Sequence, residues 1–137
     1  MHDITFTDLF AGAGGSSTGA EAAGARGIIA ANHWDLAVET HQLNHPEMSH
    51  DCADITQVDP RRYPRTDLLL ASPECTHHTN ASGNRRDGDA QQAALFGEKP
   101  LPVEAYERSR ATMWDVVRFS EHHRYPIVIV ENVVEAT

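Results

Sequence analysis

"DLFAGAGGSSTG", residues 8–19, decides the fold, because it reads as the end of a strand, a glycine turn and the start of a helix. The residues before it alternate in polarity and favour β-structure, so a strand is predicted over residues 3–10. Glycines allow a tight turn and a close approach to a ligand, and the amino end of a helix favours negative charge. A nucleotide-like ligand and a plain tight loop both remain open, because Ser17 replaces the last glycine of the dinucleotide fingerprint GxGxxG.

Strands and helices alternate along the rest of the chain. The patterns predict further strands over residues 27–32, 49–55, 67–72 and 126–132, and helices over residues 34–44 and 103–123. This order indicates an α/β fold with a doubly wound, mostly parallel sheet. In such sheets, ligands bind beyond the carboxyl ends of the strands.

Apolar spacing predicts which faces of these elements are buried. The first of the two helices places Leu36, Val38 and Leu43 at roughly helical spacing. The second helix directs five apolar residues inward: Ala105, Met113, Val116, Val117 and Phe119. The β-branched run "PIVIVEN", residues 126–132, is typical of a strand covered on both faces.

Composition limits the classes of function. The 137 residues suit one domain, and 11 basic against 20 acidic residues give a net charge of −9. That charge does not suit a free-standing nucleic-acid clamp, so a nucleic-acid partner would need a local basic patch or additional protein. No apolar run approaches the ~18 residues of a membrane span, and the start does not resemble a signal peptide. Two cysteines fit no disulfide framework, which favours a cytoplasmic location.

Chemically unusual residues follow every predicted strand. They are Phe10 after the first strand, His33-Trp34 after the second, Asp54 after the third, Pro73-Glu74-Cys75 after the fourth and Glu131-Asn132 after the fifth. Because the carboxyl ends of parallel strands share one edge of a sheet, these side chains are predicted to line a single site.

The glycine turn resembles the first motif of the DNA (cytosine-5) methyltransferases, which bind S-adenosylmethionine (SAM) and release S-adenosylhomocysteine. In that family the motif's Phe contacts the adenine, and the backbone around the glycines cradles the methionine part. The matching positions are Asp8, Phe10, Ala11, Gly12, Gly14 and Gly15. The resemblance implies a Rossmann-like SAM-dependent methyltransferase fold, here truncated after the fifth strand.

Two further motifs extend the resemblance. "NHWD" (32–35) is similar to the second motif, which implies that Trp34 stacks on adenine, and His33 stands where the family usually has Glu. "ADITQV" (53–58) resembles the third motif, in which Asp54 accepts from the adenine amino group and the Ile55 backbone meets the ring. The alternatives are a half-buried packing role for Trp34 and a turn cap for Asp54.

"SPEC" (72–75) and "VENVVE" (130–135) resemble the family's catalytic motifs. The resemblance implies that Cys75 is the nucleophile that adds to carbon 6 of a flipped cytosine, and that Glu131 holds ring nitrogen 3. Asn132 would brace the loop, and Pro73 would border the cofactor. The family's usual Pro-Cys is interrupted here by Glu74. The alternatives are a buried structural thiol and a solvated carboxylate.

The stretch after Cys75 is predicted to be a catalytic loop over residues 76–103, of which residues 80–103 form a long mobile segment. Arg85 and Arg86 are its only basic pair and are the candidates for phosphate contacts, together with Arg110 of the following helix. Arg110 is also a candidate to activate the thiol, as are His77 and His78. The alternative is an ordinary solvated loop.

A metal site is not favoured. His41, His45, His50 and Cys52 lie close together in sequence, but no CxxC or HExxH pattern supports zinc. We therefore expect a solvated helix face carrying the histidines, with Cys52 packed in its strand.

The resemblance implies that residues 1–137 are the amino-terminal part of a cytosine-5 DNA methyltransferase of the restriction–modification kind. We expect it to lack a target-recognition domain and to need a carboxyl-terminal half or second subunit for activity. The alternatives are a non-catalytic SAM-binding subunit or remnant, an RNA cytosine methyltransferase, and a nicotinamide dehydrogenase. The last predicts an acid after the second strand, and His33-Trp34 fits it poorly.

Overall fold

The computed structural model describes residues 3–73 and 103–132, and for residues 103–111 it describes the backbone alone. Five strands and three helices follow each other in this part of the chain: β1 (Thr5–Leu9), α1 (Gly15–Ala22), β2 (Arg26–Asn32), α2 (Asp35–Asn44), β3 (Ser49–Cys52), β4 (Leu68–Ala71), α3 (Val103–His123) and β5 (Ile127–Val130). Two 3-10 turns, Ile55–Gln57 and Pro60–Arg62, lie between β3 and β4. The predicted strands and helices are all present.

The five strands form one sheet in the order β3-β2-β1-β4-β5. Every neighbouring pair is parallel. The chain begins at the centre, runs outward through β2 and β3, and then crosses to β4 on the other side of β1. The α/β, doubly wound fold predicted from the sequence is therefore confirmed, and its topological switch point lies between β1 and β4.

The core has two layers because side chains alternate across each strand. On one face, Leu9 of β1 and Leu69 of β4 join a cluster with Phe119 of α3. On the other face, Phe6 of β1 packs with Leu68 of β4 and other buried residues in a second cluster. Within the described residues, no helix is both long and apolar enough to cross a lipid bilayer.

The prediction for the buried face of α2 is wrong. Leu36 is 52% exposed and Leu43 is 83% exposed, whereas Ala37 and His41 are buried. Ala37 and His41 are four residues apart and therefore share one helix face, which is the face that α2 turns inward. Val38 is half-buried.

Two other burial predictions are also wrong. Val117 of α3 is 40% exposed, although Val116 and Phe119 are buried and Met113 packs against the core as expected. Ala105 lies where only the backbone is described. The strand β5 is not covered on both faces: its four side chains are each at least 40% exposed, because β5 is the last strand of the described sheet.

Arg118 joins α3 to the turn that follows β3. Its guanidinium donates to the carbonyl oxygens of Val58 (2.6 Å) and Ile55 (2.7 Å) and to Asp115 Oδ1 (2.8 Å). Burial raises the pKa of Asp115, and the bond from Arg118 works in the opposite direction. One side chain thus fixes a loop at the carboxyl edge of the sheet.

Replacing this guanidinium should loosen that loop. We expect Arg118→Ala to lower the free energy of unfolding by about 2 kcal/mol, since two carbonyls and a carboxylate lose a charged donor. Urea denaturation followed by circular dichroism measures the change. Arg61→Ala is the matched control, because Arg61 is 78% exposed and its ion pair is with Asp59 on its own turn. Equal unfolding midpoints for Arg118→Ala and the native chain would contradict this role.

Candidate functional site

The loops that follow β1, β2 and β3 meet at the carboxyl edge of the sheet, beside the residues that follow β4. This edge includes the switch point, where open α/β sheets form a ligand crevice. The ladder extends to the strand exits: the Ser72 amide donates to the Leu9 carbonyl at 3.1 Å and the Glu131 amide to the Ala71 carbonyl at 2.9 Å. The structure therefore aligns the ends of β1, β4 and β5, as the sequence predicted.

Phe10, directly after β1, has a left-handed backbone with φ 58°. This conformation costs a residue with a side chain roughly 1–2 kcal/mol. It is held by the Ala11 amide, which donates to the Ala31 carbonyl at 3.0 Å, and by Asn32 Nδ2, which donates to the Ala11 carbonyl at 2.8 Å. Strain of this kind concentrates at functional sites, so the entry to the glycine turn is a site candidate on structural grounds as well.

The glycine turn leads into α1, whose first residue is Gly15. Gly14, the residue before it, has φ 104° and gives the helix no side-chain cap. A Cβ atom built on Gly12 or Gly15 would meet nothing within 4 Å, so open space lies beside both residues. An uncapped helix start beside open space is suited to a negatively charged ligand group.

The loop after β2 presents an aromatic ring to solvent. Trp34 is 55% exposed, and its amide donates to Asn32 Oδ1 at 2.9 Å. The alternative of a half-buried packing residue does not describe this ring. His33 is exposed as well. Cys52, at the end of β3, is exposed rather than packed, because the last residue of that edge strand faces outward, and its Sγ lies 3.8 Å from the His33 carbonyl.

Asp54 caps the 3-10 turn after β3. Its Oδ1 accepts from the Thr56 amide at 3.1 Å and from Thr56 Oγ1 at 2.7 Å, and its Oδ2 accepts from Gln57 Nε2 at 2.8 Å. The cap that we weighed as an alternative is therefore present. Ile55 is almost fully buried, and its carbonyl is one of those held by Arg118. These contacts fix the turn.

Three of the histidines form a cluster behind the glycine turn in which His41 and His45 are buried and His50 is half-buried, which corrects the expected solvated face. His41 is 0% exposed and His45 is 5% exposed. The His41 ring lies 4.7 Å from that of His45 and 5.0 Å from that of His50, centroid to centroid. The burial follows from pairing: His41 Nε2 contacts Ser17 Oγ at 3.1 Å, and Ser17 donates to Asp8 Oδ2 at 2.7 Å.

The chain of polar contacts continues to β3. His41 Nδ1 lies 2.9 Å from His50 Nε2. Burial lowers the pKa of His50, and the neighbouring His41 lowers it further. Within residues 3–73 and 103–132, no group of three His, Cys, Asp or Glu side chains has the arrangement of a metal site. Sequence reasoning missed this cluster. The spacing of four between Ala37, His41 and His45 indicates that these residues share one side, but it does not identify their partners.

Asp8 lies in the same interior, away from solvent. It is 2% exposed, and its Oδ1 has no hydrogen-bond partner in the structure. The Asp8 side chain points to the α1 and α2 side of the sheet, since Ser17 and His41 contact its other oxygen. Its contact with the glycine turn is therefore indirect, through α1.

The remaining predicted residues are divided between the described and undescribed parts of the chain. Pro73 is buried at the exit of β4, Glu131 is exposed after β5, and Asn132 is half-buried. Cys75, Arg85, Arg86 and the side chain of Arg110 lie outside the described residues, as do His77 and His78. The predicted loop over residues 80–103 lies outside them as well, except for residue 103, which begins α3.

An apolar groove runs along the α1 side of β4 and β5. It has a volume of about 440 Å³. On one side lie Ala20 of α1 and Ala23, the residue that follows α1, and on the other side lie Ile127 and Ile129 of β5. Glu131 borders the groove at the carboxyl edge of the sheet, so the groove opens beside the candidate site.

Comparison with known proteins places this geometry in a family. The model of the family "C-5 cytosine-specific DNA methylase" matches residues 4–136. The type II methyltransferase M.HhaI of Haemophilus parahaemolyticus is 30% identical over 132 residues, which are 95% of this chain and 34% of that protein. M.DdeI of Desulfomicrobium norvegicum is 34% identical over 135 residues, 96% of this chain and 28% of that protein. The chain thus spans about a third of the length of these relatives.

Solved structures show the same fold. A prophage-encoded Escherichia coli protein, described as a DNA modification methyltransferase, matches with a TM-score of 0.63 at 21% identity, over 97% of this chain and 33% of that one. The Dnmt2 methyltransferase of Schizosaccharomyces pombe (S. pombe) matches with a TM-score of 0.62 at 17% identity, over 97% of this chain and 35% of that one. The family match over residues 4–136, on a doubly wound parallel sheet, shows that this chain belongs to the C-5 cytosine-specific DNA methylase family, whose methyl donor is SAM.

Proposed function

We propose that this chain carries the SAM site and the catalytic residues of an enzyme that transfers a methyl group to carbon 5 of cytosine in DNA. The observation that supports the proposal is the single sheet edge at which Phe10, Trp34 and Glu131 follow the parallel strands β1, β2 and β5. A cytoplasmic setting, in a bacterium or a phage-infected one, is part of the same proposal, because the relatives described above include bacterial type II methyltransferases.

The described residues fit the methyl donor. The open space beside Gly12 and Gly15, next to an uncapped helix start, suits the carboxylate of its methionine part. The exposed Trp34 ring offers a face for adenine, and Phe10 and Ile55 would border the same base. Asp54 would accept a hydrogen bond from the adenine amino group, and Pro73 and Ala11 would line the rest of the site. When bound, SAM supplies an electrophilic methyl group.

His33 makes the ribose contact the least usual part of this site. A Glu carboxylate would accept hydrogen bonds from two hydroxyl groups. A neutral imidazole has only one acceptor nitrogen, and its other nitrogen is a donor. His33 is exposed and follows β2 directly, which places it at this edge of the sheet. Asp8 is proposed to act from behind the turn, through its bond from Ser17, rather than by touching the donor.

The chemistry on cytosine is assigned to three residues. The Cys75 thiolate would add to carbon 6 and push electron density into the ring, which makes carbon 5 nucleophilic. Glu131, as a carboxylic acid, would donate to nitrogen 3 and hold that density, with Asn132 bracing the Glu-Asn-Val segment. Carbon 5 would then bond to the donor's methyl group, which leaves S-adenosylhomocysteine as the product. Loss of the carbon 5 proton to a base and expulsion of the thiolate would restore the aromatic ring. The positions of Pro73 and Glu131 support this assignment, because these residues follow the neighbouring strands β4 and β5.

DNA contacts are proposed for Arg85, Arg86 and Arg110, in or after a catalytic loop over residues 80–103. The net charge of −9 leaves few cations for phosphates, so further basic surface would come from a carboxyl-terminal half or second subunit with target recognition. The exposed apolar strand β5 and the groove beside α1 support such a partner, since exposed apolar surface of this kind marks an interaction site. The chain alone is expected to bind SAM weakly and not to methylate DNA.

Trp34 gives the sharpest test of the cofactor site. We expect Trp34→Ala to weaken SAM binding roughly tenfold, the usual contribution of one aromatic stacking partner to a nucleobase. Isothermal titration calorimetry measures the dissociation constant, with NAD titrated in parallel. Trp114→Ala is the matched control, because Trp114 is 73% exposed but lies on α3. Tighter binding of NAD than of SAM would favour the dehydrogenase alternative, and equal effects of both tryptophan variants would exclude Trp34 from the site.

Cys75 tests the methyl transfer itself. We expect the chain, combined with the carboxyl-terminal part of a relative, to form a covalent adduct with DNA that contains 5-fluorocytosine, because fluorine blocks release of the enzyme. Denaturing electrophoresis detects the adduct, and Cys75→Ser should abolish it while Cys52→Ser retains it. SAM binding without any adduct would support the non-catalytic subunit. An adduct with 5-fluorocytosine RNA and none with DNA would favour the RNA methyltransferase.

A further inference from the structure

The His45 ring lies directly behind the glycine turn, on the side opposite the open space. A Cβ atom on Gly14 would come within 2.5 Å of His45 Nε2, so the ring excludes any side chain from that position. The glycine at 14 is therefore explained by a protein contact as well as by its φ of 104°. The functions proposed above give His45 no role.

Hydrogen-bond accounting at His45 indicates its protonation state. Nδ1 lies 3.0 Å from Glu21 Oε2, and Nε2 lies 3.1 Å from the Gly14 carbonyl oxygen. Both partners are acceptors, and a neutral imidazole has only one N–H. The imidazolium satisfies both at once, whereas a neutral ring that donates to Glu21 would point its Nε2 lone pair at a carbonyl oxygen.

Thr18 does not supply the missing proton. Its hydroxyl donates to the Gly14 carbonyl at 2.8 Å, and the same oxygen lies 3.3 Å from His45 Nε2. The hydroxyl proton is therefore engaged in the shorter bond, and its oxygen is available to accept from the ring. Two acceptors then face Nε2, which again favours an N–H at that atom.

The turn is held by α2 at two successive carbonyls. Asn44 Nδ2 donates to the Ala13 carbonyl at 2.7 Å, and His45, the next residue, contacts the Gly14 carbonyl. Two consecutive carbonyl groups at the start of α1 are thereby fixed from behind. The end of α2 thus controls the shape of the turn that faces the methyl donor.

Charged and titratable groups surround His45 from each packed element. Glu21 of α1 contacts the ring, Asp8 of β1 lies 3.9 Å from the adjoining His41, and His50 of β3 completes the cluster. Two carboxylates therefore balance the histidines. The lowered pKa of His50 reflects its burial and the repulsion of a second positive charge by His41 and His45.

We propose that His45 is a positioning residue whose imidazolium, bridging Glu21 and the Gly14 carbonyl, holds the glycine turn in its ligand-binding conformation and makes binding pH-dependent. This proposal rests on the proposed SAM site. Deprotonation removes the donor at Nε2 and leaves the Gly14 carbonyl facing a lone pair, so the turn loosens from behind. Binding should therefore be tighter when the His45 ring is charged than when it is neutral.

The test is calorimetric titration of the chain with S-adenosylhomocysteine at several values between about pH 5.5 and 8.5. We expect the dissociation constant to rise roughly tenfold across this range, the effect of one charged hydrogen bond. His45→Gln should bind more weakly at low pH and give a flat profile. His122→Gln, which changes an exposed histidine at the end of α3, is the control.

The outcomes separate this proposal from the cofactor site. A native chain and a His45→Gln variant with the same pH profile would overturn the positioning role while leaving SAM binding intact. No binding at any pH would overturn the proposed cofactor site. Nitrogen NMR of the histidine rings then decides the state of His45 without a ligand: both ring nitrogens protonated at pH 6 would support the bridge, and a neutral ring there would overturn it.

Discussion

The parallel pairing of β1 with β2 on one side and β4 on the other is the constraint on which the remaining structure depends. It directs the exits of these strands to the same edge, so residues far apart in sequence come together there. Phe10 and Trp34 follow two of these neighbouring strands, and Pro73 follows the third. The strained backbone at Phe10 persists because two bonds to and from Ala11 tie the turn to β2. Were the strand order different, the same side chains would be scattered.

The α1 and α2 face of the sheet combines an apolar groove with a buried polar network. Phe6, Leu68 and Leu70 supply the apolar part, whereas Asp8, on the same face of β1, requires hydrogen-bond partners. Ser17 and the histidines provide them. A buried carboxylate is costly unless it is bonded, which ties α1, α2 and β3 to a single packing arrangement. The polar network therefore positions the glycine turn, and through the turn it positions the proposed site.

Local patterns in the sequence were sufficient for the strands and their order of appearance. The β-branched run at residues 126–132 and the apolar run at 67–72 each carry their own signal, and the small residues after Phe10 predict the turn. The exposure of β5 was not predictable in this way, because a β-branched strand looks the same whether or not another element covers it. Leu36 and Leu43 misled for a related reason: apolar spacing marks a stripe, but the stripe that faces the sheet is the one bearing Ala37 and His41. Buried histidines were missed because their partners, such as Asp8 and Glu21, lie more than twenty residues away.

The placement of the methyl donor is the claim on which the functional account stands. Amide hydrogen exchange, measured by mass spectrometry with and without S-adenosylhomocysteine, tests it across the whole chain. The account predicts slower exchange in three segments, residues 10–19, 33–36 and 53–58, with little change along β5. Unchanged exchange in the glycine turn, or protection concentrated in the groove between α1 and β5, would contradict it.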